Sequence, residues 1–336
     1  MKLYCCFSIY NLYITLVKAM VSGENIDILI GSQMPDYINK VKSIRKLPFV
    51  KNIYMFDSLS YKNIKFKNKI DKIINQKKKE KEYIDSQLNI NWFIYGENIY
   101  LYNDFEILGW YFVDCKIKYH LIEDGCNFFK YFQKYYNIPK SQYTNNIKNV
   151  IKNAFNYGHR MYGTSQYVID IEVNEAKGIV INNKKIIEVP RKLLFYNLND
   201  NQKNILYKVF CTSNIKLDNQ KKRLLICTQP LYEDGQLDSL EIQENIYNNI
   251  IQKYFKKGFS ITIKPHPRDN VDYTNICEKY NCIYIDKYIP SEVLNYNKNI
   301  YYDLALSITS TAIESLEFVK ERKYLGFEFI EKYKNN

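Results

Sequence analysis

Residues 223–269 read RLLICTQPLYEDGQLDSLEIQENIYNNIIQKYFKKGFSITIKPHPRD, and the pattern of this stretch decides the fold class. Leu224-Leu225-Ile226-Cys227 is a short, wholly apolar run, as a strand buried on both faces requires. Asp238 to Lys257 then carries apolar residues at helical spacing and stops at Gly258, a residue that accepts the left-handed turn ending a helix. Phe259 to Ile263 is the next apolar run. It meets Lys264-Pro265-His266-Pro267-Arg268-Asp269, where two prolines interrupt any regular element. Strand, helix and strand in that order make a βαβ unit and a parallel sheet.

The same alternation extends both ways. Downstream, Cys282 to Ile285 and Leu304 to Ile308 read as strands, and Ser310 to Lys320 as a helix. Upstream, strands are expected at Lys2 to Phe7, Ile26 to Gly31, Asn52 to Phe56, Trp92 to Tyr95, Ile99 to Tyr102 and Ile117 to Ile122. Tyr10 to Met20 and Tyr61 to Leu88 have helical spacing. Tyr167 to Pro190 carries shorter β-like runs and reads as the region between domains. A chain of 336 residues is long enough for two cores. The expectation is an α/β protein of two domains, residues 1–195 (with the inter-domain region) and 196–336.

Composition narrows the function classes. There are 48 Lys and Arg against 36 Asp and Glu, a formal charge of +12. Such a surface attracts nucleic acid, anionic lipid or an anionic substrate. The run Lys77 to Lys81 is broken by Glu80, as on a solvated helix face, and no zinc-finger or RNA-recognition spacing accompanies it. No nucleic-acid partner is expected; peripheral attachment to an acidic membrane remains a hypothesis. None of the eight cysteines forms a C-x-x-C pair, which speaks against zinc and for buried, reduced thiols in the cytoplasm. Leu3 to Met20 is interrupted by Ser8, Asn11 and Lys18, so a strand and helix are expected there, not a membrane span.

Four places carry candidate chemistry. Lys264 to Asp269 follows a strand directly, where open α/β sheets bind ligands, and His266 stands there between Lys264, Pro267 and Arg268. That set suits a phosphate, with the imidazole donating to a leaving-group oxygen. A rigid turn with an incidental histidine is the plainer account, but with only three histidines in the chain and this one so framed, a functional His266 is favoured; His120 and His159 are read as structural. Glu123-Asp124-Gly125 closes a strand with adjacent carboxylates, which suit a general base for a substrate hydroxyl or, more plainly, an exposed acidic turn. Glu233-Asp234-Gly235 repeats the motif after Thr228-Gln229-Pro230, so Asp124 ranks first and Asp234 second. Ser310-Thr311 opens a helix, where hydroxyls and free N–H groups hold phosphate. Glu292, after Tyr288-Ile289-Pro290, could accept ribose hydroxyls or simply begin a helix. Gly-x-Gly-x-x-Gly, P-loop and Asp-x-Asp signatures are absent, which argues against a diphosphate gripped through a metal.

Taken in order, Glu123-Asp124-Gly125, His266-Pro267 and Ser310-Thr311 resemble the motifs of the bacterial sialyltransferases, most closely glycosyltransferase family 52. Leu225 to Leu231, Ile263 to Asp269 and Cys6 to Leu12 also look like that family. The resemblance implies a GT-B fold, two Rossmann-like domains facing a cleft, with the acceptor on the N-terminal side and the donor on the C-terminal side. It implies CMP-sialic acid as donor, inversion at the anomeric carbon, no metal or other cofactor, a galactose-terminated glycan acceptor and a homodimer. By carry-over Asp124 or Asp234, with Glu123 beside the former, would deprotonate the acceptor. His266 would serve the departing phosphate. Ser310 and Thr311 would hold it, with Thr228, Gln229, Lys264, Pro267 and Arg268 nearby and Glu292 on the ribose. The Ser-Ser of some relatives is Ser-Thr here. Two other readings stay open: a different donor such as a UDP-hexose, or, from another class, a basic nucleic-acid-binding module.

Overall fold

A computed structural model describes residues 1–125, 128–130, 162–181, 183–211, 215, 217 and 221–334. The chain divides into two compact units, Met1–Asn199 and Asp200–Asn336.

The first unit is built on strands β1 (Lys2–Cys6), β2 (Ile26–Gly31), β3 (Val50–Phe56), β4 (Ile99–Leu101), β5 (Tyr119–Ile122), β6 (Val168–Val173) and β7 (Lys185–Glu188). They form one sheet in the order β3-β2-β1-β4-β5-β6-β7, and every pairing is parallel. The order reverses between β1 and β4, the topological switch of a doubly wound sheet. Helix α1 (Ile9–Ser22) follows β1 and buries Leu12, Tyr13, Leu16 and Val17. It ends at Gly23, whose φ of 69° is the left-handed cap that glycine allows. Helices α2 (Tyr37–Ile44), α3 (Lys69–Gln87) and α4 (Ile107–Asp114) complete the described crossovers. One core cluster joins Leu3, Cys5, Leu29, Leu101 and Leu121 of the strands to Ile84 of α3 and Phe112 of α4. Helix α5 (Arg191–Tyr196) then packs on α1, with Phe195 against Tyr13 at 5.4 Å between ring centres.

Three expectations are corrected in this unit. Trp92–Ile94 is a 3-10 turn, because the Asn91 side chain accepts from Phe93 N while Trp92 tucks edge-on against Phe112. The long helix begins only at Lys69, where Asn68 caps it by accepting from Asp71 N; before it lies a 3-10 turn, Ser60–Asn63. Residues 167–190, read as lying between domains, supply β6 and β7: Ile171 and Val173 are fully buried, and Asp170 pairs in register with Lys185.

The second unit carries α6 (Asp200–Phe210), β8 (Arg223–Cys227), α7 (Leu240–Phe255), β9 (Ser260–Lys264), α8 (Thr274–Tyr280), β10 (Ile283–Tyr284), β11 (Tyr302–Ser307), β12 (Val319–Tyr324) and α9 (Phe327–Lys334). Its parallel sheet has the order β10-β9-β8-β11-β12, so β8 is central. Helix α7 is capped by Ser239, which accepts from Ile242 N, and buries Ile246, Tyr247, Ile250 and Ile251. The expected helix from Ser310 to Lys320 is corrected to a single 3-10 turn, Thr311–Ser315, followed by β12. Arg322 of β12 donates to the carbonyls of Ile313 and Leu316, which continued helix would have satisfied, and Val319 pairs with Tyr302. Both units are α/β with parallel sheets. Among the described residues no helix is long and apolar enough to cross a membrane.

Candidate functional site

In the first unit the site is assembled at the carboxyl ends of β1 and β5. Ser8 caps α1 by accepting from Asn11 N at 3.1 Å, and Asn11 Oδ1 accepts from Ser8 N at 3.0 Å and Phe7 N at 3.1 Å. This reciprocal capping box fixes Asn11, which is 1% exposed. Its amide is thereby aimed outward, and Nδ2 donates to Asp124 Oδ1 at 2.8 Å. Asp124 stands on the turn after β5, which Gly125 completes at φ 89°. Burial raises the Asp124 carboxyl above its ordinary value; the Asn11 hydrogen bond opposes that shift, and the charge of Glu106 adds to it. A half-buried carboxylate with a raised pKa, held by one donor, has the attributes of a general base.

Glu123 is different. It is fully buried; Oε1 accepts from Phe129 N at 3.0 Å and Oε2 from Asn174 N at 2.8 Å. Expected in the catalytic set, it is an internal brace joining the end of β5 to the chain beyond β6. His120, expected to be structural, pairs through Nδ1 with Asp170 at 2.7 Å and stacks on Tyr100. His159 and Cys126 lie outside the described residues, and the other seven cysteines are free thiols.

In the second unit the loops after β8, β9 and β11 lie side by side, because those strands are neighbours. Their hub is Asp269, 1% exposed. It accepts from Thr228 Oγ1, from Tyr273 OH at 2.9 Å, from Gln243 Nε2 at 2.8 Å and from Val271 N at 3.0 Å. Its own N–H donates to His266 O at 2.9 Å, and Thr228 Oγ1 accepts from His266 N at 3.3 Å. The His-Pro turn is therefore held from beneath. His266 Nδ1 accepts from Arg268 N at 3.1 Å. In the neutral ring the proton must then sit on Nε2. Burial, with the cations Arg268 and Lys264 beside it, lowers the His266 pKa to about 4. The imidazole is neutral at pH 7, a hydrogen-bond donor through Nε2–H.

Gln229 links the β8 and β11 loops: Oε1 accepts from Thr309 N at 2.7 Å and Nε2 donates to Thr309 Oγ1 at 2.7 Å. Ser310 N donates to Ser307 Oγ at 3.2 Å, and Ser310 Oγ accepts from Ala312 N at 3.2 Å. The Ser310 hydroxyl proton thus remains available. Thr311 opens the 3-10 turn. Arg268 is exposed, and its Nη1 bonds Asp234 Oδ1 at 2.7 Å; Glu233 Oε1 accepts from Asn270 N at 3.1 Å.

Several of the residues expected to touch a ligand are turned inward in this geometry. Lys264 is 4% exposed, and Nζ donates to the carbonyls of Pro265 and Lys287, both at 3.0 Å; desolvation lowers its pKa to about 8. Thr228 and Gln229 are likewise internal ties. His266, Pro267, Arg268, Asp234 and Ser310 keep surface exposure. Glu292 is half-buried on the 3-10 turn Ser291–Tyr296, with its carboxyl raised by desolvation. Sequence reasoning gave Asp269 no role of its own and missed Asn11, Gln243 and Tyr247, whose hydroxyl accepts from Gln229 N. Only Asn11 had a signal, the Ser8-x-x-Asn11 capping spacing. A cavity of about 350 Å³ lies elsewhere, on a face of the first sheet lined by Tyr4, Lys18, Tyr100, His120 and Asp170.

The profile of glycosyltransferase family 52 matches residues 45–325, well over half of the chain, and includes the Glu123-Asp124-Gly125, His266-Pro267 and Ser310-Thr311 motifs but not the Cys6 to Leu12 stretch. The chain belongs to glycosyltransferase family 52. An uncharacterized protein of Haemophilus influenzae is 30% identical over 213 residues, 62% of this chain; the match spans 61% of that protein's own length. An α/β-galactoside α-2,3-sialyltransferase from the luminous marine bacterium Photobacterium phosphoreum superposes with a TM-score of 0.50 at 16% identity, covering 95% of this chain and 88% of its own. The GT-B domain of a sialyltransferase from Photobacterium damselae gives a TM-score of 0.45 at 13% identity, over 96% of this chain and 90% of its own. At such identities the likeness concerns the fold. This family 52 glycosyltransferase has the α/β architecture of the GT-B type.

Proposed function

We propose that this family 52 glycosyltransferase transfers sialic acid from CMP-sialic acid to a hydroxyl of a galactose-terminated glycan, inverting the anomeric carbon without a metal. The observation that carries the proposal is the state of His266. A neutral imidazole, locked with its proton on Nε2 at the end of β9, is matched to a leaving group that already carries its charge as a monophosphate. CMP needs hydrogen bonds on its phosphate as the glycosidic C–O bond breaks, and it does not need a full proton. The Ser310 hydroxyl, on the loop after β11, supplies a second donor. Arg268 supplies positive charge within the same loop cluster. The acceptor oxygen forms the new bond to the anomeric carbon from the opposite face. Its proton passes to Asp124, whose raised pKa makes it a stronger base than an ordinary carboxylate.

One observation favours a second assignment of the base. Asp234 is held on Arg268, two residues from His266, so base and phosphate donor would then share one unit. Its Oδ1 is already occupied by the Arg268 guanidinium, whereas Asp124 is held by a single amide donor, and Asp124 is preferred.

The test is CMP release from CMP-sialic acid with lactose as acceptor, with and without EDTA, for the unaltered protein and for His266→Ala. Release that survives EDTA and collapses in the variant supports the reading. Absence of both turnover and CMP binding sinks the sialic acid donor, and turnover of a UDP-hexose would put another sugar in its place.

A further inference from the structure

Eight lysines and one aspartate lie between Lys62 and Lys79, more than half of the formal charge of +12 gathered in a single stretch of the first unit. Helix α3 begins within it. Of the nineteen residues of α3 only Glu80 and Ile84 are buried, both in the second half, so the first half stands out from the core. There Ile70 is 68% and Ile74 55% exposed, and Leu59, just upstream, is 47% exposed. Ile70 and Ile74 are four residues apart and share one helix face. Lys62, Lys65, Lys67, Lys69 and Lys72 are exposed, and among the described residues no carboxylate pairs with them. Asp71 gives no compensation outward: it accepts from Lys67 N at 2.8 Å, from Asn75 Nδ2 at 2.7 Å and from Lys79 Nζ at 3.3 Å.

We infer that residues 59–78 form a docking surface for an anionic lipid bilayer. Lysines alone would suit a nucleic acid or an acidic protein equally well. The exposed isoleucines argue against a nucleic acid, because a phosphodiester backbone offers nothing to an aliphatic side chain. The boundary between headgroups and acyl chains accepts both kinds of group: apolar side chains enter it while lysines reach back to the phosphates. Two signals together also meet the requirement for stable attachment, since a single one gives only marginal, reversible binding. Position supports the assignment. The segment leaves the carboxyl end of β3, the same sheet edge at which Asp124 follows β5. Four strand spacings separate β3 from β5, about 19 Å. An acceptor glycan anchored in the docked bilayer would be presented at the edge that carries Asp124. The inference does not depend on which sugar is transferred.

The experiment is co-sedimentation of the full chain with vesicles of pure phosphatidylcholine and with vesicles containing a quarter phosphatidylglycerol, at 0.1 M salt. Two variants accompany it, Ile70→Ser with Ile74→Ser, and Lys67→Glu with Lys69→Glu and Lys72→Glu. These side chains are exposed, and unchanged circular dichroism and melting verify the fold of each variant. Binding confined to the anionic vesicles is expected, weakened about tenfold or more by the charge reversal and several-fold by the serine pair. It should fall steeply at 0.5 M salt. Equal binding to both vesicle types, or anionic binding unmoved by either variant, overturns the inference. If the lysine variant loses DNA binding while vesicles never bind, the patch is a nucleic-acid surface and the inference is wrong.

Discussion

Asn11→Asp is the substitution that most directly examines how Asp124 would act. The new carboxylate can keep the Oδ1 role, accepting from Ser8 N and Phe7 N, so the cap of α1 survives. What changes is the other atom: a donor 2.8 Å from Asp124 Oδ1 becomes an acceptor. Loss of a hydrogen bond to a charged group is worth about 1.5–3 kcal/mol, which is about 1–2 pK units. Two carboxylates about 4 Å apart repel by about 4 kcal/mol at an effective dielectric of 20. That figure is an upper limit, because the pair would share a proton and titrate as a unit. A rise of about 2 units in the pKa governing Asp124 is the working figure. The base is active when ionised, so a raised pKa moves the acid limb of the kcat/KM profile to higher pH. Below both midpoints the variant should be about 100-fold slower, and at alkaline pH it should approach the unaltered enzyme. The assay is the pH dependence of CMP release, with circular dichroism confirming the fold. An acid limb that stays in place would refute the reasoning. If Asp234→Asn alone abolished that limb, the base would belong to the second unit.

Three further substitutions and one pH effect test the remaining geometry. His266→Ala should lower kcat roughly 100- to 10,000-fold while CMP affinity, read by calorimetry, changes far less. Glu123→Gln leaves only one good acceptor for two buried N–H groups, and urea unfolding should show a loss of about 1–3 kcal/mol. Turnover per folded molecule should stay within about threefold, and a fall of about 100-fold would return Glu123 to the catalytic set. Asp269→Ala strands four buried donors, and a loss of about 3–5 kcal/mol should accompany disordering of the His266 turn. Because the folded-state pKa of His266 lies near 4, below the ordinary 6.5, the unfolded chain takes up this proton first on acidification. The contribution of His266 to stability is thus present above pH 6.5 and lost as pH falls towards 4, about 1–2 kcal/mol after allowance for partial exposure. His266→Gln should flatten the difference in urea midpoint between pH 7 and 4.5.

Much of this enzyme was legible in one dimension. Parallel strands buried on both faces must be nearly all apolar, so Leu224–Cys227 and Ile26–Gly31 announce themselves without any partner in view. Capping is also local: Ser239 ahead of α7 and Ser8 ahead of α1 need only the residues three positions on. One edge strand, β12, escaped the reading for the opposite reason. Val319–Tyr324 is exposed at every residue but its first, and its polar sequence becomes a strand only because β11 offers a free ladder. Trp92–Ile94 erred the other way, apolar and strand-like but turned by Asn91.

The order of the three motifs along the chain was enough to indicate the family and the kind of fold, since each follows a strand and carboxyl ends of strands gather ligands. Which atoms of those motifs are free was not decided there. Lys264, Glu123 and Thr228 have the chemistry of ligand-binding groups, yet each faces inward, because a nearby carbonyl, N–H or carboxylate would otherwise be buried without a partner. Asn11 and Asp124 stand 113 residues apart in sequence and 2.8 Å apart in space. Hydrogen bonding acts through distance in space, so the groups that tune the candidate base and hold the His-Pro turn from beneath were fixed only when the strands took their places in the two sheets.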